Sequence, residues 1–290
     1  MLGIIPAAGT ASRLQPLAGA KELLPLGRSG GQLRVVSEYL LDRMLLAGAD
    51  RICFVISPEK QDLIRFYSRS EYGGRFFYVC QPQAGGLCDA VFRAAPHVQD
   101  DEAVLIGLPD TVWHPRTAFA NAPCAGVHLI TFPVGNPADF DAVIATGEPR
   151  SHRVSRVEVK KRAASGDPDR DERRVWGAIT MSGHVFADLE QFWNRRGARE
   201  VFLGDLFNQW IAAGNVVTYD EQGSEYWDIG TVDGYERALR QRAWLPSMRQ
   251  AVEPSPSLGH AFDNGGWRPG AGGHDDLGVL EAAPANPNHP

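Results

Sequence analysis

Two cations follow a strand-like apolar run that ends in small residues: Leu2-Gly-Ile-Ile-Pro-Ala-Ala-Gly9-Thr-Ala-Ser-Arg13-Leu, and then Lys21-Glu-Leu-Leu-Pro25-Leu. Small residues let backbone N–H groups approach an anion closely, and cations at short range neutralise phosphate charge. Arg13 offers a planar fork to phosphate oxygens, whereas Lys21 is a point charge. Gly9 is expected to adopt a backbone conformation closed to other residues, turning the amides toward a phosphate. The run is neither a G-x-G-x-x-G dinucleotide fingerprint nor a Walker loop with Gly-Lys-Ser/Thr, so it suits a nucleoside triphosphate site of another kind. A tight turn followed by two surface cations would have the same spacing.

Four further constellations could serve such a site. Asp110 follows the apolar run Val104-Leu-Ile-Gly-Leu-Pro, where a carboxylate at a strand's carboxyl end can hold Mg²⁺ or simply cap a turn. In Trp227-Asp228-Ile-Gly230-Thr231, Asp228 is a candidate second metal carboxylate, and either Asp228 or Thr231 could be an N-cap. Gln81-Pro-Gln-Ala-Gly85-Gly86-Leu87 offers an amide with donor and acceptor for a base edge, and glycines against which a ring can lie. On a strand, Glu158 and Lys160 share one face, which suits a sugar hydroxyl and a phosphate or a surface ion pair.

The elements that must position these groups alternate through the first half. Strands are expected at Leu2–Ile5, Arg51–Ile56, Arg75–Cys80 and Ala103–Leu108, with helices at Val35–Ala47 and Pro58–Ser70 and a helix over Ala90–Ala95 ended by Pro96. Gly48 is a natural helix stop. This alternation predicts parallel strands with sites at their carboxyl ends. Later strands are expected at Gly126–Phe132, Ala142–Ala145, Val154–Val159, Val175–Met181 and Val216–Tyr219. Helices are expected at Val185–Asn194, Val201–Ala213 and Thr231–Ala243, and the charged stretch Lys160–Arg174 reads as a mobile loop. These elements make one domain over residues 1–245, followed by a Gly/Pro-rich tail, 246–290, that reads as disordered.

The 290 residues suffice for one large α/β core or two modest ones, and 43% hydrophobic with 22% charged content is ordinary for a globular protein. A net charge of −6 argues against a general nucleic-acid binder, so phosphate binding must come from a local pocket. Cys53, Cys80, Cys88 and Cys124 lack C-x-x-C spacing and read as buried reduced thiols. No apolar run approaches the ~20 residues of a membrane span, and the first residues form a strand rather than a signal peptide, so the expected location is cytoplasmic.

In combination, over Met1 to about Ala243, these motifs resemble the sugar-1-phosphate nucleotidyltransferases, especially the glucose-1-phosphate thymidylyltransferase and uridylyltransferase branches. The resemblance rests on P-A-A-G-x-x-x-R-L-x-P, K-E-L-L-P-L, Q-P-x-x-x-G at Gln81, the strand-end Asp110, Lys160 after a strand, and W-D-x-G-T at Trp227, all in family order. It implies an α/β fold with a Rossmann-like mixed, mostly parallel sheet flanked by helices, of the nucleotide-diphospho-sugar transferase type. It also implies that Ala8, Gly9, Thr10 and Ala11 wrap the triphosphate, with Arg13 and Lys21 on the phosphates at the reacting centre. Gln81 and Gly86 would hold a pyrimidine base, Asp110 and Asp228 would bind Mg²⁺, Lys160 and Glu158 would face the sugar phosphate, and Gly177 would line the sugar pocket.

The departures fall mostly on the sugar side. Ala8 and Ala11 replace loop glycines, Val159 and Lys161 stand where the family has Glu and Pro around the phosphate-binding Lys, and Asp141 replaces a glycine. Ala198 takes the place of an Arg, with Arg196 and Arg199 nearby. The implied reaction is Mg²⁺-dependent transfer from dTTP or UTP to a sugar 1-phosphate with release of pyrophosphate. A cyclitol phosphate, phosphocholine or phosphonate acceptor is the alternative within the fold, and a non-catalytic nucleotide-binding regulator is the alternative outside catalysis. Family members are often dimers or tetramers, so a homo-oligomer is a further expectation.

Overall fold

In the computed structural model, residues 1–10, 12–14, 19–29, 32–68, 74–134, 139–146, 152–160 and 174–240 are described. The expectations for Ala11, for most of the 160–174 loop and for the 246–290 tail lie outside them. The first half runs β1 (Leu2–Pro6), β2 (Pro25–Ser29), β3 (Gln32–Val35), α1 (Val36–Leu46), β4 (Arg51–Ile56), α2 (Gln61–Tyr67), β5 (Phe76–Cys80), α3 (Gly86–Phe92), β6 (Ala103–Gly107), β7 (Thr111–His114) and α4 (Ala118–Asn121). The second half runs β8 (Val127–Phe132), β9 (Ala142–Ala145), β10 (Val154–Glu158), β11 (Val175–Ser182), α5 (Gly183–Arg195), α6 (Leu203–Ala212), β12 (Val217–Asp220), β13 (Glu225–Asp228) and α7 (Val232–Arg240).

A nine-stranded sheet carries the order β10-β9-β11-β6-β1-β4-β5, with β8 between β11 and β12. β1 pairs in parallel with β4 and β6, and β4 with β5, whereas β11 runs antiparallel to β6, β8 and β9, and β10 antiparallel to β9. With β12 parallel to β8, only β10 and β11 run against the common direction, so the sheet is mixed and mostly parallel. β1 is fully buried, and its side chains alternate between faces as strand geometry demands. Leu2 and Ile4 join Phe92, Phe186 and Leu206 on one face. Ile5 joins Leu40, Met44 and Leu63 on the other. Helices thus cover both faces, the arrangement a buried parallel sheet requires.

The order matters for function. The chain leaves β1 toward β4 and β5 on one side and returns to β6 on the other, so the loops after Pro6 and Gly107 diverge and open a crevice at the strands' carboxyl ends.

Three local expectations are corrected. The helix expected to continue through Ala90–Ala95 spans Gly86–Phe92 and so stops short of Pro96, which sits inside a separate 3₁₀ turn, Ala95–His97, where its missing N–H is harmless. The hairpin β2–β3 and the ribbon β7–β13 have no counterpart among the expected strands, and Pro25 and Gly27 interrupt the apolar pattern of the first. Cys80 is exposed rather than buried, since it ends the edge strand β5; Cys53 and Cys88 are buried as expected. Among the described residues, no helix is long and apolar enough to cross a membrane.

Candidate active site

At the crevice lies a cavity of about 340 Å³, lined by the loop residues Ala8, Gly9 and Thr10, by Lys21 and Glu22, by Gln81 and Gly86, and by Asp110. Residues read separately from the sequence therefore share one wall. Gly9 differs from its expectation: its φ is not in the left-handed range, and a Cβ there would meet nothing within 4 Å. Glycine is not forced at this position by the backbone; it leaves the rim of the cavity without a side chain.

Lys21 opens a short 3₁₀ turn, Lys21–Leu23, and its Nζ donates to Asp110 Oδ2 at 2.5 Å. Asp110 is buried, with its backbone oxygen accepting from Ile229 N–H at 2.8 Å. Burial pulls the Lys21 ammonium down, but the Asp110 carboxylate more than offsets this and leaves it above its ordinary value. Burial likewise pushes the Asp110 carboxyl up, and Lys21 outweighs it, leaving Asp110 below its ordinary 3.8. Both shifts describe a charged pair.

The sign of each shift fixes a pH window. The pair should contribute constant stability between pH 3.8 and 10.5; it should be lost as pH falls through the lowered Asp110 value, and as pH rises through the raised Lys21 value. Urea unfolding of the wild-type chain and of a Lys21→Met/Asp110→Asn chain checks this. A stability difference that drifts across neutral pH would contradict the pairing.

Asp228 arrives by tertiary pairing. β13 runs antiparallel to β7, which sets Asp228 opposite Thr111, the neighbour of Asp110. Arg13 Nη1 donates to Asp228 Oδ2 at 3.1 Å, and Gly230 N–H donates to Asp228 Oδ1 at 2.8 Å. Gly230 marks the centre of the cluster. A Cβ on it would lie 2.5 Å from Asp110 Oδ2, 2.9 Å from Asp228 Oδ1 and 3.1 Å from Arg13 Nη2. Two carboxylate oxygens thus flank the side-chain-free face of Gly230. A carboxylate pair of this kind fits a hard divalent cation lying off that face, with substrate phosphates and water completing its shell, as is usual for Mg²⁺. Among the described residues no group of three or more His, Cys, Asp or Glu gathers to make an all-protein metal site.

The base end is equally constrained. Gln81 is buried, and its Nε2 donates to Gly86 O at 3.1 Å and to Asp89 Oδ2 at 2.7 Å. Both carboxamide hydrogens are engaged within the protein, which leaves the amide oxygen to accept from a ligand. Gly86 has φ +89°, and a Cβ there would strike Val201 at 2.3 Å, so only glycine fits between the cavity and that segment. Leu87 N–H donates to Val201 O at 3.0 Å across the same contact.

The residues assigned to the sugar side do not line this cavity. Lys160 follows β10, and its backbone N–H donates to Asp141 Oδ1 at 3.0 Å. Burial pushes the Asp141 carboxyl up. Glu158 lies near Arg156, at 3.6 Å. Gly177 occupies a register shift in β11, and a Cβ there would meet Tyr226 at 2.3 Å and Phe132 at 2.9 Å, so aromatic rings fill the space beside it.

Sequence reasoning missed Tyr226, Glu22 and Gly230. Burial drives the Tyr226 hydroxyl far above its ordinary value, and the charges of Asp228, Asp110 and Asp141 add to this. Its ring packs on Phe132 and Phe140 at 5.2 and 5.7 Å between centroids. The signal for Gly230 was its place two residues after Asp228; Tyr226 and Glu22 have no signal short of the fold.

A profile of the nucleotidyl transferase family matches residues 2–243. The chain belongs to that family. It is 25% identical over 107 residues to a UTP–glucose-1-phosphate uridylyltransferase of Haloferax volcanii, a match covering 37% of this chain and 43% of that protein. The chain thus spans under half of that relative. It is also 21% identical over 265 residues to a protein of Methanocaldococcus jannaschii provisionally named UTP–glucose-1-phosphate uridylyltransferase, covering 81% of this chain and 90% of that one. A solved structure from Bacillus anthracis, provisionally named glucose-1-phosphate thymidylyltransferase and holding a sucrose, superposes with a TM-score of 0.67 at 23% identity, over 83% of this chain and 95% of that chain. It has the same fold. The crevice at the strand switch point is where open α/β sheets bind ligands.

Proposed function

We propose that this nucleotidyl transferase joins UTP or dTTP to a sugar 1-phosphate, forming a nucleoside diphosphate sugar and pyrophosphate, with Mg²⁺ held by Asp110 and Asp228. The observation that carries the reading is the clustering of Asp110, Asp228 and Arg13 around Gly230, with Lys21 on Asp110, where Lys21 and Asp110 also line the cavity. The names of the relatives support the acceptor and the pyrimidine nucleotide. The fixed Gln81 carboxamide supports the base, because uracil and thymine present an imide N–H that its free oxygen can accept.

In this mechanism a phosphate oxygen of the acceptor attacks the α-phosphorus of the triphosphate. The bond from the α-phosphorus to the oxygen bridging toward the β-phosphate breaks, and pyrophosphate leaves with that bond's electrons. A phosphate monoester is nucleophilic near neutral pH, so no general base is required. When bound, the cation offsets charge growing on the α-phosphate and the leaving group. Arg13 and Lys21 supply the protein's share of that offset, and Lys160 would hold the acceptor phosphate. The loop Ala8–Thr10 aligns the triphosphate, and such alignment can supply roughly 7–11 kcal/mol of the barrier reduction.

The test is incubation with Mg²⁺, each triphosphate in turn, and a panel of sugar, cyclitol, choline and phosphonate acceptors, scored by pyrophosphate release and product mass. Release with UTP or dTTP and a sugar 1-phosphate is the expected result, and nucleotide binding without turnover on any acceptor would oppose it. Lys160→Ala should raise the acceptor KM by about 10²-fold, the scale of a lost charge-assisted contact, and leave the triphosphate KM within about threefold. Equal losses for both substrates would remove Lys160 from the acceptor side.

A further inference from the structure

Lys21 meets Asp110 only if the turn that carries it is held, and the side chain that anchors the turn, Lys60, does not line the cavity. Glu22 is fully buried, and both its oxygens accept from Lys60 Nζ, at 2.7 and 2.8 Å. Lys60 is itself buried and stands just before α2, with its N–H donating to Ser57 O at 3.0 Å and its carbonyl accepting from Leu63 N–H at 3.2 Å. The same segment reaches the turn a second time, where Ala20 N–H donates to Asp62 Oδ2 at 3.0 Å. A third anchor comes from α1: Ser37 Oγ donates to Glu22 O at 2.8 Å and lies 2.7 Å from the Tyr67 hydroxyl.

Successive side chains of a 3₁₀ turn project about 120° apart, so fixing the direction of Glu22 also fixes that of Lys21. A buried ion pair adds little net stability over apolar residues of the same shape. What two hydrogen bonds from one ammonium do provide is a fixed carboxylate plane. We infer that Lys60 is a positioning residue for nucleotidyl transfer: through Glu22 it holds the Lys21–Leu23 turn so that Lys21 meets Asp110 and the triphosphate. This rests on the reading of the reaction given above. It adds to that reading a control point in the segment between β4 and α2, distant in sequence from every residue that would touch substrate.

The full-length chain carrying Lys60→Met, and the double variant Glu22→Gln/Lys60→Met, separate positioning from stability. Lys60→Met leaves a buried carboxyl without its partner, so both the melting temperature and kcat should fall, kcat by about 10- to 100-fold, with both KM values within about threefold. The double variant removes both charges, and its melting temperature should return toward wild type while kcat stays at least about tenfold low. A kcat that recovers together with the melting temperature, or a full kcat in Lys60→Met, would overturn the inference. Acetylation of the Lys21 amine by acetic anhydride, followed by peptide mass, requires no turnover. It should be several-fold faster in the double variant than in wild type, and an unchanged rate counts against positioning. A wild-type chain silent with every acceptor would refute the reaction instead, and the acetylation result would still decide the role of Lys60.

Discussion

Replacing Asp110 with alanine is expected to lower pyrophosphate release by about 10³-fold and to destabilise the chain by about 3 kcal/mol. The two effects have separate causes. The first is loss of a carboxylate from the cradle beside Gly230, where the cation and the α-phosphate would meet. The second is Lys21, left buried without the partner its Nζ now contacts at 2.5 Å. The nucleotide base should still bind, since the Gln81 and Gly86 end of the cavity is untouched. Urea unfolding reads the stability and steady-state turnover reads the chemistry. Asp110→Asn should recover part of the stability, because an amide oxygen can still accept from Lys21, and little of the rate, because it carries no charge. Near-normal release from Asp110→Ala would remove it from the reacting centre.

Gly230→Ala is expected to impair both turnover and stability, each less than Asp110→Ala. Its methyl group would stand within 2.5 to 3.1 Å of oxygens from both carboxylates and of Arg13, displacing the groups that would hold the cation. Aspartate is too short to move aside without breaking its contacts, and displacements of about 1 Å at a reacting centre cost about 10²-fold in rate. We expect kcat to fall by that factor, the Mg²⁺ concentration for half-maximal activity to rise, and the unfolding midpoint to drop by less than in Asp110→Ala. An unaltered Mg²⁺ requirement at full kcat would place the reaction elsewhere.

Much of the site was visible in residue order. The run from Leu2 to Lys21 reads as a strand, a small-residue loop and two cations, and the fold places it as a fully buried strand leading to the cavity. Asp110 is where the end of an apolar strand predicted it, and Gln81 follows β5 as expected. The sugar side was less legible: Asp141, Lys160 and Gly177 have roles in the fold, as a backbone anchor, its partner and a packing contact, that motif matching did not indicate.

The sequence by itself determined the alternating strands and helices, the small-residue loop after β1 and the family, because periodicity, small residues and motif order are local properties. Tertiary structure alone decided which carboxylate meets which cation. Arg13 and Asp228 are 215 positions apart, and Lys21 and Asp110 are 89 apart. No local pattern encodes such pairings. They exist because β6 and β1 are neighbours in the sheet and because β13 folds back on β7, and the same closure buries Glu22 against Lys60.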